Sequence, residues 1–126
     1  MAKRICIDID GVICELKKPT ESYDNLTPKL GAVDAINKLR SQGNYIILYT
    51  ARHMKTTQSN QGLVTARVGA ITLQWLERYG VEYDEIYFGK PWADIYIDDN
   101  AFRFTSWKDI GDSGEFLPPS TESVLK

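Results

Sequence analysis

Asp8 and Asp10 stand one residue apart at the end of a β-branched run, Arg4-Ile5-Cys6-Ile7-Asp8-Ile9, and Gly11 follows them. On a strand, residue 9 points away from residues 8 and 10, so both carboxylates reach one place. A carboxylate there can attack phosphorus if a cation offsets the repulsion between two anions. The second carboxylate can carry protons to and from the leaving group and water. Thr50 closes a second apolar run, Tyr45-Ile46-Ile47-Leu48-Tyr49, and offers a hydroxyl and a turn amide to phosphate oxygens. Lys90 follows a third run, Glu85-Ile86-Tyr87-Phe88, and brings a point charge. A fourth run, Ala93-Asp94-Ile95-Tyr96-Ile97, leads into Asp98 and Asp99. Magnesium takes oxygen ligands from one or two carboxylates together with phosphate and water. Side chains of Asp8 and Asp98, with the Asp10 carbonyl, would supply them.

Elements that could hold these residues in place follow from the pattern. The four runs read as strands, each bounded by turn residues. Thr27-Pro28 predicts a helix start, Leu30, Val33, Ile36 and Leu39 recur at helical spacing, and Gly43 ends that helix. A second helix is predicted from about Leu63 to Tyr79, closed by Gly80. Residues 13–27 read as a loop or small flap, and 53–62 as a polar loop. Strands alternating with helices imply βαβ units. The expected fold is therefore α/β: a Rossmann-like three-layer sandwich with a mainly parallel central sheet. Ligands of such sheets bind beyond the carboxyl ends of the strands, where the acidic pair, Thr50, Lys90 and Asp98 would meet.

The chain has 126 residues, 43% hydrophobic and 25% charged, which suits one soluble domain over 1–126 with an irregular tail at 107–126. A net charge of −2 with interspersed signs leaves no basic footprint for nucleic acid. No apolar run nears the roughly 20 residues that span a bilayer, and no leader pattern opens the chain, so a cytoplasmic location without membrane contact is expected. Cys6 and Cys14 fit neither a zinc site nor a disulfide framework, and the single His53 excludes a histidine-rich metal site.

The order Asp8-Ile9-Asp10-Gly11-Val12, Thr50, Lys90, Asp98-Asp99 resembles the four motifs of the haloacid dehalogenase superfamily, over roughly residues 3–105. The resemblance implies an aspartyl-phosphate on Asp8 and acid/base work by Asp10. It further implies phosphate binding by Thr50, its neighbour Ala51 and Lys90. Magnesium would lie on Asp8, Asp10 and Asp98, with Asp99 as an outer or alternative ligand. An Asp at the second motif position marks phosphatases and phosphotransferases of that superfamily. Val12 departs from the usual Thr but is also β-branched. The short interval from Asp10 to Thr50 leaves no room for a large cap domain. With Thr50-Ala51-Arg52, it makes the chain similar to small capless phosphatases of capsular polysaccharide biosynthesis. The expected substrate is a small phosphorylated metabolite such as a sugar phosphate.

Blander readings stand beside these. Asp8 and Asp10 could form a strand-ending Asx turn, and Asp98-Asp99-Asn100 a plain turn. Arg52 and His53 fit substrate contact and surface placement equally, and Lys17 and Lys18 read as a solvated flap. Trp92 and Trp107 read as packing residues. A receiver domain would need a lone Asp after the second strand, which is missing here. Phosphotransfer and silent phospho-ligand binding on the same fold remain as alternatives. On the second helix, Leu63, Ala66, Ala70 and Leu73 form one apolar stripe, expected to face the sheet. Val64, Val68, Ile71 and Trp75 form another, which predicts a homo-oligomer.

Overall fold

The computed structural model describes residues 2–52, 60–111 and 114–119. Three parallel strands form one sheet in the order β1-β2-β3: β1 is Arg4–Asp8, β2 Tyr45–Thr50 and β3 Glu85–Phe88. Ile7 pairs with Leu48 and Asp8 with Tyr49; Tyr49 in turn pairs with Tyr87 and Thr50 with Phe88. The carboxyl ends therefore lie side by side. Helices α1 (Ala32–Ser41) and α2 (Gln61–Arg78) make the two crossovers. The fold is α/β and Rossmann-like, and no helix among the described residues is long and apolar enough to cross a membrane.

Ile7, Ile9, Ile46 and Leu48 build the core with Ile36 and Leu39 of α1 and Trp75 and Leu76 of α2. Both helices thus pack on one face of the sheet. Two crossovers of one hand between successive neighbouring strands lie on the same side, which explains the arrangement. The other face carries Cys6, Tyr45, Ile47, Tyr49 and Tyr87, all half-buried or exposed. The expected third layer is not present among the described residues, and β2 is covered on one face only.

Two local expectations give way to tertiary contacts. Residues 27–29 do not open α1, because the Lys29 N–H donates to the Ile13 carbonyl at 2.7 Å and Pro28 bridges to Cys14. That extended pairing delays the helix until Gly31, whose φ of 82° breaks the chain direction, and Leu30 is exposed. On α2 the stripe expected to face the sheet is exposed, and of the second stripe Val68 and Trp75 are buried while Ile71 is exposed. Val68, Thr72, Trp75 and Leu76 are buried, while Leu63, Ala66, Ala70 and Leu73 are exposed. Trp75 decides the rotation, since its indole N–H finds the Leu26 carbonyl at 2.6 Å inside the core. The Val64 side chain lies outside the described residues.

The fourth strand does not form. Residues 93–98 follow no ladder, and Ile95 and Ile97 are 72% and 98% exposed. Local contacts replace pairing there: the Tyr96 hydroxyl donates to the Pro91 carbonyl, and the Lys90 ammonium lies over the Tyr96 ring. Beyond it, a 3-10 turn at Trp107–Ile110 is integrated into the core, with Trp107 donating to the Val12 carbonyl at 2.9 Å. This segment packs beside α1 and leaves the exposed stripe of α2 uncovered.

Candidate active site

The turn after β1 sets the acidic pair. Gly11 adopts φ of 87°, a left-handed conformation that side chains disfavour. It lets the N–H groups of Ile13 and Cys14 return to the Ile9 carbonyl at 2.9 and 3.1 Å. Ile9 is sealed in the core, so Asp8 and Asp10 turn the other way, into a cavity of about 420 Å³. Ala51, Arg52, Lys90, Lys17, Tyr23 and Trp92 also border it. Trp92 is thus a half-exposed cavity residue, in contrast to the packing role expected of it. Trp107 does pack.

Lys90 is carried to Asp8 by the end of β3, where its N–H also bonds the Thr50 carbonyl at 3.1 Å. Its ammonium donates to Asp8 Oδ2 at 2.8 Å, with side-chain exposures of 11% for Lys90 and 24% for Asp8. Burial pushes the Asp8 carboxyl above its ordinary value, despite the opposing bond and charge of Lys90. Burial works against the Lys90 charge, but the bond and charge of Asp8, with Tyr49 and Tyr96, outweigh it and hold Lys90 above its ordinary value.

Asp10 is clamped from two sides. The Thr50 hydroxyl donates to its Oδ2 at 2.7 Å, and Arg52 Nε lies 2.9 and 3.1 Å from its two carboxylate oxygens. Thr50 is fully buried, and its hydroxyl also accepts the Arg52 N–H at 3.1 Å. In this arrangement that hydroxyl serves Asp10 and Arg52, and the phosphate contact expected of it is not presented to the cavity. Arg52 is buried, which removes the surface reading. Burial, with Asp10 next, pushes the neighbouring Cys14 thiol up to about 12, against Arg52.

Asp8, Asp10, Thr50, Ala51, Arg52 and Lys90 therefore meet at the sheet edge. Asp98 and Asp99 do not border the cavity, since their segment stays off the sheet; the Asn100 N–H bonds Asp98 Oδ1 at 3.2 Å. His53 lies outside the described residues. Among the described residues no three acidic, histidine or cysteine side chains are grouped closely enough to hold a metal ion. Sequence reasoning missed Tyr23, Cys14 and Thr72 around Arg52. Thr72 carried a signal, being a polar residue at helical spacing between Val68 and Trp75, where burial demands a partner.

With this geometry, the crystal structure of an uncharacterised structural genomics target from Vibrio cholerae matches at a TM-score of 0.73 and 30% identity, covering 99% of this chain and 94% of that one. This chain belongs to that protein's family. The two members share one fold over nearly their whole lengths. A D,D-heptose 1.7-bisphosphate phosphatase from B. bronchiseptica, solved with magnesium and phosphate, is 21% identical at a TM-score of 0.49. It covers 75% of this chain, which spans about half of that protein (52%). A likeness that slight fixes neither fold nor activity. No family model and no curated protein matches the chain.

Proposed function

We propose that this chain is a phosphomonoester hydrolase of the haloacid dehalogenase type. The observation that carries the reading is a pair of differently held carboxylates in one cavity: Asp8 bound to Lys90 at 2.8 Å, Asp10 bound to Thr50 and Arg52. Asp8 attacks phosphorus, the ester P–O bond breaks, and Asp10, which enters this step protonated, gives its proton to the departing oxygen. Asp10 then removes a proton from water, which attacks the aspartyl-phosphate, releasing phosphate and restoring Asp8. Lys90 offsets charge on the nucleophile and the transferring group throughout.

Magnesium belongs to the reading as a proposal. The Asp8 side chain and the Asp10 carbonyl suit a hard cation, but two donors fall short of a site. As folded here the described residues do not complete one, and no step above runs through a metal. Asp98 would be a third donor if residues 93–98 paired beside β1, whose outer edge has no strand partner among the described residues. The exposed Ile95 and Ile97 support that pairing.

For substrate we propose a small sugar phosphate or related metabolite, in surface or capsular polysaccharide synthesis. The Thr50-Ala51-Arg52 context supports it, and the aromatic Trp92 and Tyr96 border the cavity where a sugar ring would lie. The incomplete donor set favours one rival, a phospho-ligand-binding protein without turnover. A panel of phosphomonoesters, assayed with magnesium and with excess chelator, separates the two. Turnover that requires the cation and disappears in Asp8→Asn supports the hydrolase. Phosphate-ester binding without phosphate release in any condition overturns it.

A further inference from the structure

We propose that Arg52 is the positioning residue for Asp10, held in turn by Thr72 of α2; the inference rests on the acid/base role of Asp10 proposed above. The Arg52 side chain is 1% exposed, so it is not a solvated arginine. A guanidinium stays charged in proteins, and at that depth it needs partners for its whole fork of donors. Each of its three nitrogens has one. Nε bonds both oxygens of Asp10, NH1 donates to the Thr72 hydroxyl at 3.0 Å, and NH2 lies 3.8 Å from Cys14 Sγ. The ring of Tyr23 closes one face of the guanidinium at 4.2 Å. The contacts come from three stretches of chain, the Asp10–Cys14 turn, Tyr23 and Thr72 of α2, so the guanidinium has little freedom to tilt.

A carboxylate turns about two torsions, and a proton carrier works only in the narrow set of orientations that face the departing oxygen. The single Nε–H, shared between both oxygens, and the Thr50 hydroxyl on Oδ2 hold the Asp10 carboxylate beside the guanidinium fork. Asp10 keeps 16% of its side chain open, on the cavity. Thr72 transmits the rotation of α2 to this fork. The apolar stripe of a helix thus carries one polar residue because the site needs an anchor behind its arginine.

Lysine preserves the charge of Arg52 but has no planar fork, so Arg52→Lys isolates orientation from charge. With p-nitrophenyl phosphate and magnesium, Arg52→Lys is expected to lower kcat about 10- to 100-fold with little change in KM. In an Asp10→Asn background the same change is expected to alter kcat less than about twofold, because there is no proton carrier left to position. Thr72→Val, a smaller perturbation, should repeat the pattern at reduced size and keeps the test alive if Arg52→Lys fails to fold by circular dichroism. Losses that multiply independently of Asp10 would overturn the proposal. So would a crystal structure of Arg52→Lys with Asp10 still well ordered in its original rotamer, whatever the turnover. Wild-type turnover in Asp10→Asn overturns the acid/base reading itself, and this inference with it.

Discussion

Lys90 Nζ sits 2.8 Å from Asp8 Oδ2, joining residues 82 positions apart at the carboxyl ends of β1 and β3. The carboxyl that Lys90 stabilises is one that burial already pushes above its ordinary value. Lys90→Ala is expected to raise it further and to lower kcat/KM about 10²- to 10³-fold, the usual loss for one electrostatic contact to a reacting group. Steady-state assays beside a thermal melt check this. Undiminished turnover in a folded variant would remove Lys90 from the site.

Asp84 links pH to stability. The Ile46 N–H, then Arg40, hold its carboxyl below the ordinary 3.8. A lowered folded value contributes stability that is complete above about pH 3.8 and lost as pH falls through the folded value. Asp84→Asn should therefore be less stable than wild type in urea at pH 7, with the gap narrowing below pH 3.8. A gap that widens in acid contradicts the assignment.

Cys14 and Cys6 should separate in thiol chemistry. Cys14 is buried with its thiol pushed up to about 12, which leaves roughly one thiolate in ten thousand at pH 8; Cys6 is exposed. Timed alkylation at pH 8 is expected to modify Cys6 first and Cys14 only after denaturation. Equal native rates would mean that the Arg52–Asp10 enclosure is open.

Trp75 is fully buried and its indole N–H bonds the Leu26 carbonyl. Trp75→Phe removes volume and strands that carbonyl, for an expected loss of about 2–4 kcal/mol. Urea unfolding at neutral pH measures it, and a loss under half a kcal/mol would refute the burial.

The rotation of α2 changes which substitutions report on self-association. Homo-oligomer formation stands as a proposal, now through the exposed Leu63 and Leu73. Light scattering at micromolar concentration is expected to give an oligomer that Leu73→Glu dissociates without loss of fold. Val68→Glu, at a core position, should unfold the chain instead. A wild-type monomer mass at all concentrations ends the proposal.

Much of the site was legible because short-range rules govern it. Alternation along β1 turns Asp8 and Asp10 the same way and Ile9 into the core, and that period needs only the residues themselves. Parallel strands joined by helices then place Asp8, Thr50 and Lys90 at one edge by topology alone. Choices between near-equal alternatives were not legible. Two stripes of α2 are both apolar, and only the bond of Trp75 to Leu26 and the demand of Arg52 for Thr72 select the buried one. Residues 93–98 have the composition of a strand, but composition gives a capacity to pair. A ladder also needs an edge brought within reach, which the contacts at Lys90 and Pro91 do not supply. Arg52 is the sharpest case. Its position beside Thr50 is sequence, whereas its burial against Asp10 exists only once three separate segments, the Asp10–Cys14 turn, Tyr23 and Thr72, close around it, because the cost of a buried charge must be met by partners distant in the chain.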